Sequence, residues 1–185
     1  MFALAIGLLV LVVVIIAALI GIYNRIVAQR NRAEQSWAQI DVQLRRRYDL
    51  IPNLVETVKG YAAHERETLE GVTQARAAMA KAGTVEERAQ ADNMLTGALK
   101  SLFAVAEAYP NLKADQNFMD LQQQLQQIEQ EIASSREVYN EAVMTFNTLI
   151  QVFPNSVIAS FMSARPLPYY RIEEPEAREP VRVQF

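Results

Sequence analysis

Residues 118–153 read FMDLQQQLQQIEQEIASSREVYNEAVMTFNTLIQVF. Phe118, Leu125, Ile132, Tyr139, Phe146 and Phe153 stand seven apart without exception, and Leu121, Ile128, Ser135, Ala142 and Leu149 fill the partner positions. An a/d pattern kept this long predicts one helix packed in a left-handed bundle or coiled coil. Ser135 and Ala142 are small and leave room for a bulky neighbour. The glutamines of 121–130 fall between the apolar positions, so their low complexity reads as a solvated helix face. Pro154 stops the pattern.

On the N-terminal side the chain is nearly all helix former, with Gly and Pro scarce from 24 to 150 and no strand-like alternation. A first helix is expected over 23–49, with Trp37, Ile40 and Leu44 on one face, ended or kinked by Pro52. Asp49 and Asn53 beside Pro52 suit a capped helix corner. A second helix is expected over 53–82, with Leu54, Val58, Tyr61, Leu69, Val72 and Met79 inward. Gly83 then suits a C-terminal cap, and Thr84 with Glu87 forms a capping-box pattern. A third helix runs to about Ala108 with Leu95, Leu99, Leu102 and Ala106 on its stripe. Residues 109–117, YPNLKADQN, are a connection.

The chain begins MFALAIGLLVLVVVIIAALIGIYN, and residues 2–22 form an uninterrupted apolar run. As a helix this run spans about 31 Å, one hydrocarbon core. No basic n-region or Ala-x-Ala site marks it for cleavage, so a retained single-pass anchor is expected. No Lys or Arg precedes it, whereas Arg25, Arg30 and Arg32 follow. The positive-inside rule places the N-terminus outside and the helices in the cytoplasm. Ala3 and Gly7, and Ala17 and Gly21, repeat the small-xxx-small spacing that lets membrane helices approach closely. At the other end, ARPLPYYRIEEPEAREPVRVQF (164–185) reads as a Pro-rich, charged, extended tail.

The composition excludes most chemistry. There are 185 residues, no cysteine, one histidine and a net charge of −3. Neither a Cys-based metal site nor a two-histidine zinc site is available. A di-iron bundle needs paired Glu-x-x-His motifs, and Tyr61 stands three before His64. No nucleophile elbow or phosphate-binding glycine loop occurs. No catalytic, cofactor-binding or metal-ligating residue is expected, no cofactor, and no nucleic-acid partner. His64 reads as a surface residue. Arg45, Arg46 and Arg47 read as a solvated cluster paired along the helix with residues such as Asp41 and Asp49, or as a contact for an acidic partner. Leu50, Ile51, Leu54, Val55 and Val58 offer more apolar surface than one seam requires.

The stretches YNRIV, RNRAEQSW, QLRRRYDLIPNLVETVKGYAAHE, AYPNLKADQNFMDLQQQLQQIE, REVYNEAV, FNTLI and FPNSVIA stand in the order of the LemA family, which the chain resembles from Tyr23 to Ala159. The resemblance implies a bacterial membrane protein with an N-terminal anchor and an up-and-down antiparallel four-helix bundle of long coiled-coil-like helices. The division is then 1–23 anchor, 24–163 bundle and 164–185 tail. The resemblance brings no activity or cofactor. Some relatives carry lipoprotein-type N-termini, which keeps an extracytoplasmic bundle open as the alternative.

The expected function is a non-enzymatic, self-associating membrane protein that organises or shapes the bilayer, its partners being lipid and further copies of itself. An adaptor holding another membrane protein is the alternative. One ambiguity bears on mechanism. If Pro52 reverses the chain, residues 154–162 return to the membrane, bringing Phe153, Val157, Ile158, Phe161 and Met162 within reach of lipid; if Pro52 only kinks a rod, they lie far away.

Overall fold

The computed structural model describes residues 1–171, among which there are helices and connections but no strand. The elements are α1 (Phe2–Lys59), α2 (Arg66–Lys81), α3 (Val85–Ala106), α4 (Pro110–Lys113), α5 (Gln116–Gln151) and α6 (Asn155–Phe161). They divide into two compact units. One comprises Met1–Gln39 with Ser135–Pro168; the other comprises Ile40–Ser134 with residues 169–171.

Of the readings left open at Pro52, the stop and the reversal fail: α1 continues through it to Lys59. A proline inside a helix withholds an amide from the carbonyl four residues back, here that of Tyr48. Arg76 of α2 supplies the missing donor. Its Nε lies 3.4 Å from the Tyr48 carbonyl oxygen, and its guanidinium sits 4.0 Å from the centroid of the Tyr48 ring. Pro52 itself is exposed. Asp49 and Asn53 are accordingly mid-helix, and Asn53 offers its carbonyl to the Thr57 hydroxyl at 2.9 Å. The reversal comes at 60–65, where the amides of Tyr61 and Ala62 both turn back to the Val58 carbonyl.

The second unit is built on the stripes read from the periodicity. Ile40, Leu44, Ile51, Leu54 and Val58 of α1 are buried, as are Leu69, Val72 and Met79 of α2 and Leu95, Leu99 and Leu102 of α3. From α5 come Phe118, Leu125 and Ile132, with Phe118 edge-on to Phe103 at 6.1 Å. Tyr61 departs from the expectation. It is 44% exposed, and its hydroxyl donates to Asp115 Oδ2 at 2.9 Å. The same carboxylate accepts the Phe118 amide through Oδ1 at 2.9 Å and so caps the start of α5. The Phe118 amide first, then the Tyr61 hydroxyl, hold its carboxyl below the usual range.

The capping box at α3 forms as read. The Thr84 hydroxyl accepts the Glu87 amide at 3.2 Å, and Glu87 Oε2 accepts the Thr84 amide at 3.1 Å. Gly83 does not take the left-handed cap expected of it; Ala82 ends α2 in an extended conformation, and no glycine among the described residues has positive φ. The Gly83 amide donates instead to Glu87 Oε2 at 2.7 Å.

In the first unit α1 and α5 run antiparallel, because Ile26 packs with Phe146 and Ile150 while Trp37, further along α1, meets Tyr139 at 5.6 Å. The heptad holds through Phe146 and Leu149 and fails at Phe153, which is 83% exposed. α5 has ended at Gln151, and the chain bends by 94° into α6. After Ser163, which turns with φ 51°, residues 164–168 form no regular element but are tied down. Asn147 donates to the Leu167 carbonyl at 2.9 Å and accepts the Leu167 amide at 2.8 Å, and the Tyr139 hydroxyl donates to the Pro168 carbonyl at 2.8 Å. The tail expected over 164–185 therefore begins as an ordered strap; residues 172–185 lie outside the described residues.

Candidate functional site

The anchor is the most distinctive surface. Every one of residues 1–21 is exposed, and α1 carries them without a break. Nineteen exposed side chains would not be stable in water, where each large apolar side chain costs about 1.5–3 kcal/mol to leave exposed. In hydrocarbon the helix satisfies its own backbone and the side chains meet their solvent. Gly7 and Gly21 have nothing within 4 Å of where a Cβ would stand, so the small-residue faces are unpacked within the chain. The apolar run closes on Tyr23, 49% exposed, followed by Arg25, as at the edge of a bilayer.

The last apolar residue of the run, Ile22, packs against the cluster of Ile26, Phe146, Leu149, Ile150 and Ala159, which also gathers Ile158 and Met162. α6 thus sits beside the foot of the anchor. Its two faces differ. Ala159 is buried and Ile158 and Met162 are half-buried, whereas Val157 and Phe161 are 47% and 85% exposed, and Phe153, in the turn before the helix, is 83% exposed. Of the five residues read as returning towards lipid, two are turned inward and three outward.

The arginine cluster needs correction. Arg45 and Arg46 are exposed, as a solvated cluster would be, but Arg47 is buried. Its Nη1 donates to Asp92 Oδ1 at 2.7 Å, with both side chains under 5% exposed. Glu129 Oε2 lies 2.8 Å from the same nitrogen. Tyr170 closes the cluster, its hydroxyl donating to Asp92 Oδ2 at 3.0 Å. Asp41 and Asp49 are not the partners: Asp41 pairs with Arg88, and Arg46 approaches Glu131 at 3.8 Å. The physical reason is position. Arg47 falls between Leu44 and Ile51 on the buried stripe of α1, so it must find a carboxylate inside.

Asp92, Asn147 and Tyr170 were not singled out from the sequence. A signal existed for two of them. Asp92 stands three before Leu95 on the α3 stripe, and Asn147 stands between Val143 and Ile150 on that of α5. A polar residue on an apolar stripe demands a buried partner. Tyr170 carried no such mark.

Arg47, Asp92 and Tyr170 are bonded to one another inside the second unit, and Glu129 reaches them from a side chain 43% exposed, so the cluster fastens α1 to α3. His64 lies exposed in the 60–65 turn. Among the described residues no three His, Asp or Glu side chains gather as a metal would require.

The comparisons with known proteins agree with this architecture. The LemA family model matches residues 36–185. Protein LemA of Metamycoplasma hominis is 27% identical over 162 residues, covering 85% of this chain and 72% of that one. Magnetosome protein MamQ 2 of Paramagnetospirillum magneticum is 26% identical over 196 residues, covering 92% and 72%. Magnetosome protein MamQ of Magnetospirillum gryphiswaldense is 26% identical, covering 91% and 71%. An exposed apolar N-terminal helix, an all-helical body and a match over most of the sequence converge on one assignment: the chain belongs to the LemA family.

Proposed function

We propose that this chain is a non-enzymatic, single-pass membrane protein that self-associates into a helical assembly and so organises or shapes the bilayer. The single observation that carries the reading is the fully exposed apolar helix of residues 2–21, continuous with a helical body. The four long segments are read as an up-and-down bundle standing on that anchor. Gathering many such anchors in one patch of lipid stabilises local curvature without bond making. The open small-residue faces at Ala3/Gly7 and Ala17/Gly21 offer close approach between anchors. Two of the relatives are named as magnetosome proteins, which favours a role tied to a membrane structure. By the arginines after the anchor, the body faces the cytoplasm.

Cross-linking in native membranes tests the reading. Self-association predicts a ladder of homo-oligomers that shortens when Gly7 and Gly21 are changed to Leu. Monomer alone at every cross-linker concentration overturns it. Products containing one constant foreign membrane protein instead favour the adaptor reading, in which the body or the 172–185 segment holds that partner.

A further inference from the structure

We propose that α6 is a second membrane contact: a short helix lying in the headgroup layer at the foot of the anchor, with Phe153, Val157 and Phe161 inserted among the acyl chains of the same leaflet.

Three observations carry it, all within the first unit. The first is height. Ile22, the last residue of the apolar run, packs into the cluster that holds Ile158, Ala159 and Met162. α6 is therefore level with the point where the anchor meets the interface, as the neighbouring Tyr23 also marks.

The second is orientation. α5 runs antiparallel to α1, back towards the anchor, and α6 leaves it at 94°. A helix at right angles to one that follows the membrane normal lies along the membrane plane. Its inward face rests on Phe146, Leu149 and Ile150, which are on the body side of the bend. The opposite face carries Val157 and Phe161, 47% and 85% exposed, and Phe153, 83% exposed, stands in the turn that leads into the helix.

The third is charge. No carboxylate occurs in residues 1–33 or 142–168, while Arg25, Arg30, Arg32 and Arg165 do. Both segments that reach the interface are thus free of the groups that anionic headgroups repel, and they carry those that such headgroups attract. The occupant of the exposed face is the bilayer surface. A water-facing turn and helix would have no use for two bare phenylalanines four residues either side of a valine.

The inference rests on the anchor reading of residues 2–22, and is indifferent to how many copies associate. It also sets a geometric role: anchor and α6 together fix the body against the membrane at two points, so the tilt of α1 is defined. One helix alone leaves that tilt and rotation free.

The absence of cysteine makes the test clean, because a single introduced thiol can be spin-labelled in the full-length protein. Labels are placed by Phe153→Cys, Phe161→Cys, Leu11→Cys and Met94→Cys, in bilayers of phosphatidylcholine and phosphatidylglycerol. Depth is read from accessibility to oxygen against a water-soluble nickel complex. Both phenylalanine sites are so exposed that the label leaves the fold intact. The expected result places labels at 153 and 161 about 5–10 Å into the headgroup/acyl boundary, that at 11 in the acyl core and that at 94 in water. Labels at 153 and 161 reading as water while that at 11 reads as acyl core overturn the α6 contact and leave the anchor standing. A label at 11 reading as water overturns the anchor reading and this inference together.

Discussion

The guanidinium of Arg76 lies 4.0 Å from the ring of Tyr48 and its Nε reaches the Tyr48 carbonyl at 3.4 Å. That carbonyl is the acceptor to which Pro52 cannot donate, so a residue on the next helix repairs the gap in the first. α1 passes through a proline because of it. Pro52→Ala is expected to raise stability by up to about 3 kcal/mol, since it restores the helix's own amide. Arg76→Ala is expected to lower it by about 1–3 kcal/mol. The two changes are coupled: with the amide restored, losing Arg76 costs about 1 kcal/mol less than in the native chain. Denaturant unfolding of the four proteins of the cycle measures this. Additive effects would mean that Arg76 does not serve the orphaned carbonyl.

Arg47 and Asp92 form a buried pair that two further groups complete. Asp92→Ala leaves the guanidinium inside with Glu129 alone and is expected to cost about 3–5 kcal/mol. Tyr170→Phe removes one hydrogen bond and is expected to cost about 1 kcal/mol. The double change Arg47→Met with Asp92→Leu is expected to recover most of the loss, because an apolar pair of similar volume needs no compensation. Midpoints of chemical unfolding give all three values. A double variant weaker than Asp92→Ala would contradict the account.

Asn147 holds the strap through both the amide and the carbonyl of Leu167. Asn147→Ala is expected to cost about 1–3 kcal/mol, mostly as local loosening. Hydrogen exchange should quicken at 164–168 while α2 and α3 stay protected. Unchanged exchange in the strap would show that Tyr139 alone suffices to hold it.

Four groups, two exposed and two half-buried, set the pH window. Amides of Gly83 and then Thr84 hold the Glu87 carboxyl below its ordinary 4.5, and Asp115 is held below its ordinary 3.8 by the Phe118 amide and the Tyr61 hydroxyl. Lowered carboxyls contribute stability that is full above their unfolded values and is lost as pH falls through the folded ones. Tyr61 and Tyr109 are raised above 10.0, chiefly by donating to Asp115 and Glu65. Their contribution is full below pH 10.0 and lost as pH rises through the folded values. The melting temperature is therefore expected to be flat between these limits. Asp115→Asn should soften the acid fall and Tyr61→Phe the alkaline one. A curve unaltered by both would remove these bonds from the account.

Much of this was legible in residue spacing. The stripes of α2, α3 and α5 follow from a 3.6 or 3.5 period that burial enforces everywhere along a helix, and Thr84–Glu87 is a local device that needs no tertiary partner. What spacing could not give was tertiary compensation. Pro52 reads as a stop because its cost is local while Arg76, which offsets it, lies 24 residues on. Arg47 reads as solvated because its neighbours in sequence are arginines, although its neighbours on the helix face are Leu44 and Ile51. Phe153 obeys the heptad yet lies outside, since α5 ends at Gln151. The strap escaped notice because a Pro-rich segment orders only on a surface supplied by Asn147 and Tyr139.

The direct test of the central claim is a count of subunits per particle, by imaging the full-length protein extracted from its membrane with lipid retained. The account predicts particles in which several copies of the 2–22 helix share one lipid patch. Particles holding a single copy, at every protein density examined, would contradict it.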